Sequence, residues 1–135
     1  MISAGADVTV PARNLDKAHS SLSGIERVTV ASMDLGDIFS VRKFAEDWSK
    51  RNGDLDLLIN NAAVGVCREA RVRSGWESQF GINHMGHFAL TLALMPQLFA
   101  AESPRVISLT SATHRMSDIR WDDIQFKLIL NDVRN

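Results

Sequence analysis

The chain has 135 residues, 45% hydrophobic and 23% charged, with a formal net charge of −1. That length supports one domain with a real core, and the near-zero charge gives no sign of a binder of nucleic-acid phosphates. A single cysteine, Cys67, excludes an internal disulfide and fits a reducing, cytoplasmic setting, and the composition contains no tyrosine.

The start, MISAGADVTV, has no basic stretch ahead of an apolar core and does not read as a signal peptide. Residues 6–13, ADVTVPAR, are a β-branched run behind Gly5 and predict a strand. Asn14 caps a short helix through LDKAHSSL that ends near Gly24. RVTVASMDL, 27–35, predicts a second strand with Asp34 at its exit. From Asp37 onward Ile38, Val41, Phe44, Ala45 and Trp48 recur at three- and four-residue spacing between charges. This is an amphipathic helix capped by Asp37 and stopped at Asn52 and Gly53.

LDLLINNAA, 55–63, is a nearly continuous apolar run closing on Asn60 and Asn61, and it predicts a parallel-sheet strand buried on both faces. SGWE, 74–77, offers a capping box of Ser74 with Glu77, opening a long helix to about residue 101. That helix contains the most apolar run, FALTLALMPQLFAA, which is too short to span a bilayer and carries Pro96 and Gln97. Pro104 announces RVISLTS, 105–111, read as another buried strand. No repeat or linker interrupts this order, so residues 1–135 read as one unit of α/β class with a parallel sheet and right-handed crossovers.

Three features look chemical in isolation. Cys67 reads as a packing residue rather than a nucleophile. His84 and His87 stand three apart, but no cysteine or well-spaced carboxylate completes a metal site, so both read as ordinary helix residues. Ligands of doubly wound sheets bind outside the carboxyl ends of the strands, and Arg13, Asp34, Asn60 and Ser111 all fall at such ends.

LLINNAAV at one strand exit, GWESQFGINHMGHFALT on the long helix, VISLTSA at a later strand exit and IRWDDIQF beyond it occur in the order seen in the short-chain dehydrogenase/reductase family. The chain resembles that family from about Gly5 to Phe126, and its retinol-dehydrogenase-like branch in particular. The resemblance implies a partial NAD(P)-binding, Rossmann-like domain: an incomplete doubly wound parallel sheet with flanking helices and its first strand missing. It implies an oxidoreductase moving hydride between NADP and a small-molecule carbonyl or alcohol. Arg13 would face the adenosine ribose. Ala12 stands where an acidic residue would favour NAD, so a 2′-phosphate is preferred. Asp34 and Leu35 would contact the adenine, and Asn60, Asn61 and Ala62 would support the central sheet and line the cofactor cleft, with Ala63 in place of a glycine. Ser111 would be the catalytic serine, with Thr110 a structural neighbour. Asn83 would be the catalytic asparagine, distorting the long helix and holding a relay water, with Gly86 allowing close backbone approach.

Two family elements have no counterpart in these residues. Gly5 and Gly24 are isolated and form no Gly-x-x-x-Gly-x-Gly loop for the pyrophosphate, and SAGADVTV resembles the approach to the family's second strand. The Tyr-x-x-x-Lys pair is absent too: there is no tyrosine, Lys127 is the only lysine after Ser111, and KLILNDVRN does not resemble the family's continuation. The expectation is therefore a truncated, catalytically incompetent and marginally stable chain. Without the first strand, strands 6–13 and 55–62 either pair directly or flank a gap of roughly 10 Å. Two other readings stand beside this one. The chain is a non-catalytic protein associating through the long helix, by Phe80, Phe88, Leu92 and Phe99, with itself or a full-length relative. Or it is a functionless product of an early stop or frameshift.

Overall fold

The computed structural model describes residues 1–65, 70–125 and 127; Cys67, Phe126 and most of the KLILNDVRN tail lie outside the described residues. Among the described residues four strands alternate with helices in the expected order. β1 (Val8–Ala12) leads into α1 (Leu15–Ser21), and β2 (Val28–Ser32) leads into α2 (Ile38–Arg51). β3 (Leu57–Asn60) is followed, after a turn at 70–78, by a π-helical segment, Phe80–Gly86. That segment runs on into α3 (His87–Ala93) and α4 (Met95–Ala100), and β4 (Arg105–Ser108) follows. The two early helices start where their caps lie. Asn14 accepts from the Lys17 amide at 2.9 Å, and Asp37 accepts from the Phe39 amide at 3.0 Å.

The strands pair as two separate parallel ribbons. β1 pairs with β2 in the register Val8↔Val28 to Ala12↔Ser32, and β3 pairs with β4 from Leu57↔Arg105 to Asn60↔Ser108. β1 and β3 do not bond to one another, so of the two expected arrangements the open one is present. Pro11 is compatible with β1 because of the ladder's alternation. The Val8 amide donates to Arg27 O and Ala12 O accepts from the Met33 amide, which turns Val8, Val10 and Ala12 toward β2. Pro11, with no N–H to give, falls on the free edge.

One core joins the two ribbons. Val41, Phe44, Ala45 and Trp48 form the buried stripe of α2, packed with Met33 beyond β2, Leu58 of β3, and Leu90, Leu94 and Leu98 of the long helical stretch. Val41 is 0% exposed. Trp48 also donates its indole N–H to Thr9 Oγ1 at 3.1 Å, fixing α2 to β1.

Three expectations need correction. β3 is covered on one face only: Leu58 and Asn60 are buried, whereas Ile59 is 40% exposed. β4 is not buried, with Val106 and Ile107 each 46% exposed. An apolar run reports that both faces tolerate cover, and here the described helices supply cover on one side of β3 alone. The third correction is the start of the long helix. Residues 70–78 form a tight turn in which the Val72 amide donates to Trp76 O, the Ser78 amide to Ala70 O, and Gly75 takes φ +83°. Ser74 is spent in that turn, so Glu77 caps the helix instead, accepting from the Phe80 amide at 3.0 Å. The stretch is also broken at Leu94, because Pro96 has no N–H to carry the ladder through.

Candidate functional site

The carboxyl ends of the parallel strands gather the residues singled out in the sequence. Arg13 is exposed just past β1, and among the described residues no carboxylate pairs with its guanidinium. Asp34 closes β2 in a tight turn. Its Oδ1 accepts from the Gly36 amide at 2.8 Å, and its own amide donates to Ser40 Oγ at 2.9 Å. Leu35 is held by the long helical stretch. A Cβ placed on Gly86 would collide with the Leu35 carbonyl oxygen and lie 2.9 Å from Leu35 Cβ, so only glycine permits this approach. The close contact expected at Gly86 is therefore present, and its partner is the end of β2.

Asn60 is 5% exposed and points into the helix layer. Its Nδ2 donates to Thr91 Oγ1 at 3.0 Å and to Ser108 Oγ at 3.2 Å, tying β3 to α3 and β4. The amide orientation follows from chemistry: Thr91 gives its hydroxyl hydrogen to His87 O, so it can only accept from Asn60. Asn60 Oδ1 is left buried with no partner among the described residues. Asn61 and Ala62 are exposed in the loop beyond.

That loop is anchored by Asn83, in the middle of the π-helical segment. Asn83 Oδ1 accepts from the Val64 amide and Nδ2 donates to Val64 O, each at 2.8 Å. A π-type widening of the helix at an asparagine is the distortion expected there, and π segments cluster at functional positions. His87 approaches Asn83 O with its Nδ1 at 3.0 Å, and His84 stands near two rings, tilted 31° to Phe80 and stacked at 15° on Phe88. Both histidines thus have helix-internal partners.

Ser111 sits past β4, exposed, as the cap of a short 3-10 turn, Ala112–Arg115. Its Oγ accepts from the Thr113 amide at 3.2 Å and from Thr113 Oγ1 at 2.8 Å. His114 Nδ1 lies 2.6 Å from Ser111 O, which requires that nitrogen to carry a proton. Asn83 and Ser111 are at the same end of the fold, but neither is among the hydrogen-bond partners of the other.

Two carboxylates stabilise the surroundings. Burial alone would raise Glu77, but the amides of Gln79, Phe80 and Ser78 and the Ser78 hydroxyl outweigh it and hold it below its ordinary value. Burial would likewise raise Asp37. The Arg73 guanidinium at 3.0 Å and the Phe39 and Ser40 amides reverse this and lower it. Arg73 also stacks over Phe39, 5.7 Å from the ring centroid, which fastens the 70–78 turn to the start of α2. Thr91, Ser108 and Val64 were not singled out in the sequence, and Glu77 was read there only as half of a capping box. Asn60 lies 31 residues from Thr91 and 48 from Ser108, distances at which no sequence period operates.

The donor set fits one half of a dinucleotide. An unpaired guanidinium past β1, a partly buried Asp-Leu corner past β2 and exposed Asn61 and Ala62 past β3 line the carboxyl ends of the strands, where doubly wound sheets hold the adenosine of a dinucleotide. The pyrophosphate half is not matched. The amide of Lys17 at the start of α1 is already taken by Asn14, and the eight glycines include no clustered loop. The nicotinamide half lacks a tyrosine.

Comparison with known proteins agrees with this geometry. Residues 1–122 match the family described as short chain dehydrogenase. Retinol dehydrogenase 12 of Mus musculus is 38% identical over 127 residues, covering 90% of this chain and 40% of that protein. The human retinol dehydrogenase 12 is 35% identical over 131 residues, covering 93% of this chain and 42% of that protein. The chain thus spans about two-fifths of the length of the curated relatives it matches. Among solved structures, an uncharacterized protein from Mycobacterium paratuberculosis superposes with TM-score 0.81 at 35% identity, over 91% of this chain and 43% of that one. The Pseudomonas aeruginosa RhlG/NADP active-site complex superposes with TM-score 0.68 at 26% identity, over 96% of this chain and 55% of that one. With strand exits, helix distortion and sequence in agreement, the chain belongs to the short-chain dehydrogenase/reductase family, on its retinol-dehydrogenase-like branch.

Proposed function

We propose that residues 1–135 form one partial NADP-binding domain of an oxidoreductase acting on a small-molecule carbonyl or alcohol. The observation that carries the cofactor choice is Arg13, exposed and without an ion-pair partner at the end of β1, next to Ala12 rather than a carboxylate. The NADP complex of a structural relative supports it. NADP, when bound, supplies the hydride. Arg13 would neutralise its 2′-phosphate, Asp34 and Leu35 would border the adenine, and Asn61 and Ala62 would line the cleft. Ser111 would offer its hydroxyl to the substrate oxygen, and Asn83 would hold the loop at Val64 in place. A cytoplasmic setting goes with this reading; no helix among the described residues is long and apolar enough to cross a membrane.

The 135-residue polypeptide alone is read as catalytically incompetent, because it holds no tyrosine to exchange a proton with the substrate oxygen. Calorimetric titration with 2′,5′-ADP and with 5′-ADP tests the cofactor half. The 2′-phosphate should tighten binding by about tenfold or more, and Arg13→Glu should abolish the difference. Equal binding of both nucleotides sinks the NADP assignment. NADPH consumption with a panel of aldehydes, above the rate without protein, would overturn the incompetence.

A second reading rests on a separate observation. Phe88, Leu92 and Phe99 are 53%, 52% and 79% exposed along α3 and α4. Such a stripe suits a non-catalytic role in which this chain associates with itself or with a full-length relative. Sedimentation of the pure chain decides it, a clean monomer that also fails to co-purify with a full-length relative counting against it.

A further inference from the structure

We propose that His87 is a positioning residue for the loop past β3: donating from Nδ1 to the Asn83 carbonyl, it fixes the helical turn that aims Asn83 at Val64. The inference rests on the reading above, in which Asn61 and Ala62 line the cofactor cleft. The first ground is the bonding at the junction between the π-helical segment, Phe80–Gly86, and α3. In an uninterrupted α-helix Asn83 O would accept from the His87 amide. That amide donates to His84 O instead, and the His87 ring nitrogen stands 3.0 Å from Asn83 O. A carbonyl can only accept, so Nδ1 carries the proton. The side chain thus supplies the donor that the widened turn takes away.

The second ground is what the widened turn does to direction. Each residue of an α-helix advances by about 100°, so a one-residue change of register swings the side chains ahead of it by roughly that angle. Asn83 now holds the Val64 amide and carbonyl at 2.8 Å each. Swung through such an angle, it would meet neither.

The third ground is that the loop is gripped at both ends by residues joined in series. Asn83, His87 and Thr91 follow one another at four-residue spacing. The His87 ring bonds Asn83 O, and the Thr91 hydroxyl donates to His87 O at 2.9 Å. Thr91 Oγ1 in turn accepts from Asn60 Nδ2 at 3.0 Å, where the loop begins, while Asn83 holds Val64 further along it. His87 is the link between the two grips. A ring that only filled space would be replaced well by phenylalanine and poorly by asparagine. A ring that donates from Nδ1 gives the reverse order, because asparagine Nδ2 is attached to Cγ just as that nitrogen is.

Amide exchange at Val64 in the full chain and in its His87→Asn and His87→Phe variants provides the test. The Leu94 amide, bonded to Leu90 O, serves as the measure of overall opening. Relative to Leu94, Val64 should exchange about tenfold faster in His87→Phe and close to the parent rate in His87→Asn. The opposite order, or no change in either variant, overturns the proposal. Imidazole nitrogen NMR shifts of the parent, which need no variant, should show His87 protonated on Nδ1 at alkaline pH. The Nε2–H tautomer would overturn the proposal even if a variant failed to fold. Calorimetric titration with 2′,5′-ADP reads the consequence at the cleft: His87→Phe should weaken binding by about fivefold, and His87→Asn by less than about twofold. Unchanged affinity in His87→Phe would deny the positioning role. A parent that binds no nucleotide sinks the cofactor reading instead, and Val64 exchange still judges His87.

Discussion

Asn83 holds Val64 by both of its backbone polar groups: Oδ1 takes the Val64 N–H and Nδ2 gives to the Val64 carbonyl, each at 2.8 Å. A primary amide carries its acceptor and its donor on separate atoms, so it can take the N–H and serve the carbonyl of one residue at once. The loop beyond β3, with Asn61 and Ala62, is thereby set against the distorted turn of the long helical stretch.

Replacing Asn83 by alanine should remove both bonds and cost about 1–2 kcal/mol, partly offset by alanine's helix propensity. Asn83→Asp keeps the acceptor and loses the donor. Hydrogen exchange at the Val64 amide reads the difference: fast in the alanine variant and still slowed in the aspartate one. Equal exchange in both variants and the parent would show that the clamp holds nothing.

Gly86→Ala forces a Cβ into the Leu35 backbone and should destabilise by about 1–3 kcal/mol, with displacement of the Asp34–Leu35 corner. Gly53→Ala is the matched control, because nothing lies within 4 Å of its added carbon. It should change stability by less than about 0.5 kcal/mol. Urea midpoints of the two variants give the comparison.

Truncating Val41 to alanine should cost about 1–3 kcal/mol, since this side chain is fully enclosed between the helices and leaves a cavity. Trp48→Phe keeps most of the volume but strands Thr9 Oγ1, at a cost of about 1 kcal/mol. Denaturant unfolding measures both. A Val41→Ala variant as stable as the parent would show that α2 does not pack as described.

Acid should weaken the fold partly through Glu77. Its carboxyl is held below the ordinary 4.5 in the folded chain, so its contribution is complete above 4.5 and is lost as pH falls through the lowered folded value. Glu77→Gln removes the charge while keeping an acceptor. The midpoint difference between parent and variant should be largest near neutrality and shrink toward pH 3, as thermal scans across that range will show. A difference independent of pH would contradict the assignment.

The elements themselves were legible because their signals are local. The stripe from Val41 to Trp48, the caps Asn14 and Asp37 and the asparagine pair ending β3 each lie within a few residues of what they specify, and each is found where expected. The misplaced cap shows the limit of the same logic. Ser74 and Glu77 have capping-box spacing, but Gly75 at positive φ and the Val72–Trp76 hydrogen bond turn the chain before Ser74 can cap anything.

Composition and local pattern thus determined the class of fold and the order of strands and helices, while the quoted motifs carried the resemblance to the family. Tertiary structure alone decided that β1 and β3 stay apart, that β4 lies open, that Gly86 receives Leu35, and that Ser111 spends its oxygen on Thr113. Hydrophobic period and capping act over a turn or a strand, so they are written in the sequence. Which edge finds a partner, and which face is covered, depends on contacts between residues tens of positions apart, as Asn60 and Ser108 are, and on the backbone groups those contacts leave unpaired.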